Sequence, residues 1–195
     1  MRMVHVAAVV AFLAAVVGCS IPPPATRPID PERVPVQFGG GGARKAAFRI
    51  SPEQWGEIAK IMAAATSGPE EREAMCLAIG RIEQIAGEQT ITWMDKARNG
   101  NHGPTEQGQM DCIDESTNTT NYLRLMEQKG LFRWNRVVEI AWRAPRLVDT
   151  HRTAVVEDLA DGRRYVIDSW FGDNGEPAKT QPLEDWKRKA PFPER

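Results

Sequence analysis

Three residues of this chain have the types and the order of a nucleophile, a base and an orienting carboxylate: Cys112, His151 and Asp168. A thiol attacks as its thiolate, which unpaired backbone N–H groups and the positive end of a helix dipole favour. Cys112 stands where an aperiodic stretch enters a helical pattern, so position and chemistry agree. His151 opens the run His151-Arg152-Thr153-Ala154-Val155-Val156, and Asp168 closes Tyr165-Val166-Ile167-Asp168. Both runs read as strands. In a hairpin, period-two alternation can bring the imidazole and the carboxylate to one face. The carboxylate would then fix the imidazole tautomer and stabilise the imidazolium. A two-residue turn of Asp161 and Gly162 would set His151 opposite Gly172. Direct pairing of His151 with Asp168 instead predicts a wider turn over about residues 158 to 161, with a bulge at Gly162.

Each residue also has a plainer reading. A helical Cys is most often a small buried hydrophobe, but the neighbours Asp111, Asp114, Glu115, Ser116, Thr117 and Asn118 do not form a core pattern. Cys76, in contrast, lies in an apolar stripe and reads as core. Paired with Cys112 in an oxidising compartment, it would make a structural disulfide on a non-catalytic scaffold. His102 lies in the long loop and reads as solvated. The spacing of Cys112, His102 and His151 supports no metal site, and the sequence calls for no cofactor.

The elements that must position these residues are legible in outline. Ser51-Pro52-Glu53-Gln54 makes a capping box with Pro at the first helical position, followed by Trp55, Ile58, Ile61, Met62 and Ala65 at helical spacing. A second helix starts near Pro69, and its stripe is Met75, Cys76, Ile79, Ile82 and Ile85. Residues 95 to 110 read as a long ordered loop. A third helix runs from Asp111 or Cys112 to Lys129, with Gly130 just past its end. Strands are expected over Phe132 to Trp142, Thr150 to Glu157 and Arg164 to Ser169, and a short helix over Leu183 to Lys189. Helices followed by antiparallel strands predict an α+β domain.

The N-terminal region has a different character. Arg2 precedes an apolar run from Val4 to Val17, too short to span a bilayer but suited to a signal peptide over residues 1–18. Val16-Val17-Gly18-Cys19 resembles the lipobox of bacterial lipoproteins, which implies lipidation at Cys19. Ser20 follows, where Asp would be the usual inner-membrane retention signal, so the resemblance implies an outer-membrane anchor facing the periplasm. Residues 19–48, rich in Pro and Gly, read as a flexible tether, and residues 49–195 as the folded domain. Without the leader the chain carries 24 basic and 26 acidic side chains, since only Arg2 is removed. That balance, with no basic block, offers no footprint for nucleic acid.

The segments Asp111-Cys112-Ile113-Asp114, His151 to Val156 and Tyr165 to Asp168, in that order, resemble the bacterial transglutaminase-like cysteine proteinases of the papain-like transglutaminase superfamily. The resemblance covers roughly residues 50 to 175. It implies a papain-like fold with N-terminal helices against an antiparallel sheet and the active-site cleft between them. Cys112 would be the nucleophile, His151 the general base and acid, and Asp168 the orienting carboxylate. The substrate would be a peptide or protein of the cell envelope, with hydrolysis and transamidation both open. Calcium-dependent members carry acids on both flanks of the nucleophile; here Ile113 takes one flank, so calcium does not carry over. Gln109, three residues before Cys112, is the best-placed side chain for an oxyanion donor, beside the Cys112 backbone N–H. Trp93 is a second candidate, and ordinary loop or core packing is the other reading of both.

Overall fold

The computed structural model describes residues 28–100, 107–144 and 150–194. The expected leader, Cys19 and His102 lie outside the described residues. Among those described, no helix is long and apolar enough to cross a membrane.

Local sequence chemistry sets the helix ends. Ser51 starts α1 (Pro52–Ala63) with its side chain accepting from Gln54 N, while its own N–H donates to Gln54 Oε1 at 2.8 Å. Ser67 caps α2 (Gly68–Gln89), whose expected stripe from Met75 to Ile85 is fully buried. A 3-10 turn follows at Ile91–Met94. Asp111 caps α3 (Cys112–Gln128), and Gly130 adopts φ 72° just beyond it. That left-handed conformation is open to glycine at no steric cost.

The polar run along α3 is not a solvated face. Asp114, Glu115, Ser116, Asn118, Thr119 and Thr120 are all buried. Buried polar groups persist only when hydrogen-bonded, and α3 finds its partners on three sides. Asn118 exchanges bonds with the Gln37 backbone, Thr119 meets Ser169, and Thr120 donates to its own helix at Ser116 O. The polarity around Cys112 therefore marks a central helix with satisfied side chains, contrary to the expectation of an exposed one.

A hairpin of β1 (Val34–Phe38) and β2 (Arg44–Phe48) replaces the C-terminal part of the expected tether. Val34, Val36, Phe38 and Phe48 are buried, the first, second and fourth of them in the main core. The glycines at its turn disguise the hairpin, because a Gly run without a visible partner reads as linker. The folded part thus begins well before residue 49.

The second sheet is antiparallel in the order β3 (Asn135–Arg143), β4 (His151–Asp158), β5 (Arg164–Asp168) and β6 (Lys179–Pro182). β6 falls in a tail that reads as mostly loop; its pairing with β5 is supplied by the fold. Ala154, Val156 and Ile167 face the helical core. Val155 and Val166 face a smaller cluster with Ala141, Leu183 and Trp186, where α4 (Leu183–Lys187) covers the sheet. The architecture is α+β, with β4 buried on both faces. One register shift matters below: Val137 pairs with Val156 but Ile140 with Ala154, so β3 gains a residue in a bulge.

Candidate active site

Cys112 is the first residue of α3 and is half-buried. Its position is locked from before and beneath. Asp111 Oδ1 accepts from Ile113 N and Asp114 N, both at 2.9 Å, while Oδ2 accepts from Gly41 N at 2.9 Å. Asp114 accepts from Gly40 N at 2.8 Å and from Gly42 N at 2.6 Å. Positive φ at Gly39, Gly40, Gly41 and Gly42, between 61° and 86°, turns these N–H groups onto the two carboxylates. Burial raises the Asp114 carboxyl above its usual range, and the glycine N–H bonds oppose that shift. The glycine turn thus clamps the two carboxylates at the start of the helix that carries Cys112.

His151 and Asp168 meet, but not by direct pairing. The β4–β5 ladder joins Ala154 to Ile167 and Glu157 to Arg164. Continued, this register sets Asp168 opposite Thr153 and two residues from His151. The turn is a four-residue loop closed by Asp158 N to Arg163 O at 2.8 Å, with Gly162 at φ 71°. The expected register was therefore off by two residues, because the four-residue turn lies one residue later in the chain. The contact survives because diagonal neighbours on one face lie within side-chain reach. His151 Nε2 stands 2.8 Å from Asp168 Oδ2, both side chains being buried.

The same Asp168 oxygen accepts from Trp186 Nε1 at 2.9 Å. The His151 ring lies among Trp170, Phe171 and Trp186, with centroids at 4.6, 5.6 and 5.6 Å. Burial opposes charge on this imidazole. Burial is the largest single influence, but the hydrogen bonds and charges of Asp168 and Cys112 together outweigh it and push His151 up to about 9. Since Nε2 is committed to Asp168, Nδ1 is the nitrogen left for the thiol. The structure thus brings Cys112, His151 and Asp168 together.

Other candidates fall elsewhere. Gln109 turns away into the preceding loop: Nε2 donates to Met94 O at 2.5 Å, and Oε1 accepts from Lys96 N and Asn99 Nδ2. It holds that loop and is not among the residues lining the cleft. Gly108 explains the direction, since a Cβ there would lie 2.1 Å from Ile91 O and φ is 76°. Trp93 is 62% exposed and also off the cleft. Among the described residues, Cys76, buried in the core, and Cys112 form no disulfide.

The cleft has a volume of about 550 Å³ and runs past Cys112, His151, Asn99, Trp142, Arg143, Arg152 and Trp170. No motif in the sequence points to Arg143, which only the bulge in β3 brings opposite His151. Trp170 holds the far wall by donating from Nε1 to Asn99 O at 2.7 Å and accepting Arg98 N at 2.7 Å. A hollow of about 700 Å³ against Ile140, Tyr165 and Leu183 contains neither thiol nor imidazole.

Three carboxyls lie buried behind the site: Glu83 on α2, Asp95 in the loop and Glu115 on α3. Burial raises Glu83 to about 8, helped by the charge of Asp95; it raises Asp95 to about 7, helped by Asp173 and Asp114; and it raises Glu115 well above its usual range, helped by Glu83 and Asp95. Asp95 accepts Met110 N at 2.5 Å, and Ser169, next to Asp168, donates to Glu115. The entry to α3 and the end of β5 are thus both tied to this cluster. Among the described residues, no group of His, Cys, Asp or Glu side chains is arranged to hold a metal ion. No protein-family model, no curated protein and no solved structure matches this chain.

Proposed function

We propose that this protein is a thiol hydrolase or acyl-transfer enzyme, of the cysteine peptidase or amidase type, acting on a peptide or amide bond in the cell envelope. The observation that carries the reading is the His151 ring, which is hydrogen-bonded to Asp168 through Nε2 and lines the same cleft as Cys112. The scaffold is read as papain-like, with the transglutaminase-like order of Cys, His and Asp, and the chain as lipid-anchored through Cys19. An inert scaffold with a Cys76–Cys112 disulfide has less support, because these two cysteines are not bonded to each other.

In this mechanism Cys112 Sγ attacks the substrate carbonyl carbon, and its proton resides on His151 Nδ1. The imidazolium, held by Asp168, stabilises the negative sulfur before attack. The carbonyl oxygen gains charge near the Cys112 backbone N–H, which at the first helical position has no intrahelical acceptor. The tetrahedral intermediate collapses as the C–N bond breaks, and His151 passes its proton to the departing amine. Water, or a second amine, then attacks the thioester with His151 as base, and Sγ leaves as the thiolate.

The test is capture by a peptide amide analogue carrying a vinyl sulfone in place of the scissile carbonyl, followed by peptide mapping. Labelling should fall on Cys112, slow strongly in His151→Ala and vanish in Cys112→Ala. Labelling confined to Cys76, or unaffected by His151→Ala, would overturn the reading. For the anchor, Cys19→Ala should abolish incorporation of a palmitate analogue; equal incorporation would remove the lipid from the proposal.

A further inference from the structure

We infer that the cleft selects substrates carrying a carboxylate beside the bond attacked at Cys112, and that Arg143 and Arg152 make that selection. This rests on the thiol-enzyme reading above and adds the charge class of its substrate.

The bulge in β3 places these two residues. It pairs Arg143 with His151 and Trp142 with Arg152, whereas the unshifted ladder that joins Val137 to Val156 would set Trp142 opposite His151. Cross-strand partners share a face of the sheet. The extra residue therefore brings a guanidinium alongside the imidazole, where a ring would otherwise lie.

Arg143 is rigidly held yet incompletely used. Its guanidinium stacks on Trp186 with 4.3 Å to the ring centroid, and Nη1 donates to Trp186 O. Its Nε is buried with no hydrogen-bond partner. No carboxylate forms an ion pair with it among the described residues, and burial pulls its charged form down, with Asp168 opposing. A buried guanidinium donor left unpaired is costly, and a negative charge beside it in the cleft would offset part of that cost. Arg152 is exposed at the mouth and likewise has no ion-pair partner among the described residues.

The remaining charges of the described lining do not cancel this field. Asp111 is the only acid there, and three backbone N–H groups already hold its carboxylate. Asp168 lies beneath the cleft and is committed to His151 and Trp186. Two cations on low-dielectric walls focus their field into the cleft and concentrate anions there. Arginine also offers the planar fork that matches a carboxylate.

The test uses two small alkylating agents that differ in charge, iodoacetate and iodoacetamide, on the full chain. Each is attacked at its CH2 carbon by Cys112 Sγ: the S–C bond forms, the C–I bond breaks and iodide leaves. The quantity read is the ratio of the two rates, normalised to the same ratio for a small free thiol. Wild type should favour iodoacetate by about tenfold or more, and added salt should reduce that preference. The His151 imidazolium also attracts the anion, so the diagnostic part is what the arginine variants lose. Arg152→Gln and Arg143→Gln should each cut the ratio several-fold, and Arg143→Lys should retain part of it. Arg152 is exposed, so its variant remains readable even if Arg143→Gln fails to fold. A ratio unchanged in Arg152→Gln and Arg143→Lys, or no wild-type preference, would overturn the charge selection while leaving the nucleophile intact. Failure of both reagents to modify Cys112 in the native chain would overturn the enzyme reading and this inference with it.

Discussion

One oxygen of Asp168, Oδ2, accepts from both His151 Nε2 at 2.8 Å and Trp186 Nε1 at 2.9 Å. The carboxylate is therefore oriented by the Trp186 indole as well as by the His151 imidazole. A carboxylate held by one donor can rotate about its Cβ–Cγ bond, whereas two donors on one oxygen restrict it. Because α4 brings Trp186, the short helix after β6 acts on the site without lining the cleft.

Trp186→Phe keeps most of the ring volume and removes the donor. A hydrogen bond to a charged group contributes roughly 1.5–3 kcal/mol, and denaturant midpoints should show a loss of that order. Alkylation of Cys112 should slow as well, and its pH profile should shift to lower pH. A stability loss with an unchanged profile would restrict Trp186 to packing.

Asp168→Asn should lower the pH at which His151 gives up its proton. The raised value of about 9 depends on that carboxylate, with a contribution from Cys112. The imidazolium is present below this pH and lost above it, so turnover in wild type should decline as pH rises through about 9. In the variant the decline should come earlier, and the rate should drop because the amide favours the wrong tautomer. Stability follows the same sign: the contribution of His151 is complete below its ordinary 6.5 and disappears as pH rises through about 9.

The buried carboxyls predict a second pH effect on stability. Glu83 and Asp95 are raised in the folded state to about 8 and about 7, so the unfolded chain releases their protons first. Their protonated forms favour folding below the ordinary carboxylate range, and that contribution is lost as pH climbs through 7 and 8. Glu83→Gln preserves shape without titrating. Melting temperatures of wild type should fall between pH ~6 and ~9, and those of Glu83→Gln should fall less. Parallel curves for the two proteins would contradict the assignment.

Deleting residues 34–48 should abolish cooperative unfolding. The deletion removes Val34, Val36, Phe38 and Phe48 from the interior and strips Asp111 and Asp114 of three N–H donors. Burial of each such side chain is worth about 1.5–3 kcal/mol, which together exceeds the margin of most domains. A milder probe is Gly41→Ala, where φ is 61° but a Cβ meets nothing within 4 Å. The expected cost is then conformational alone, about 1–2 kcal/mol, read from thermal denaturation.

What the amino-acid order determined by itself is what depends on a few neighbouring residues. Ser51 and Gln54 cap each other, Asp111 accepts from the N–H groups of Ile113 and Asp114, and Gly130 takes the left-handed turn, all within four residues. The strand positions of His151 and Asp168 follow from period-two patterning, as does the α+β class. The tertiary structure alone decided the rest, because each remaining feature needs a partner distant in the chain. The glycines at 39–42 become a clamp only when Asp111 and Asp114 face them. The polar face of α3 becomes interior only once Gln37 and Ser169 supply its bonds. Gln109 looks like an oxyanion donor until Gly108 packs on Ile91 and turns it towards Met94. A bulge leaves no mark in the residue pattern, yet it selects Arg143 rather than Trp142 as the neighbour of His151. Capping and alternation are short-range energies readable along one dimension, whereas burial, charge pairing and register are settled by which surfaces close on one another.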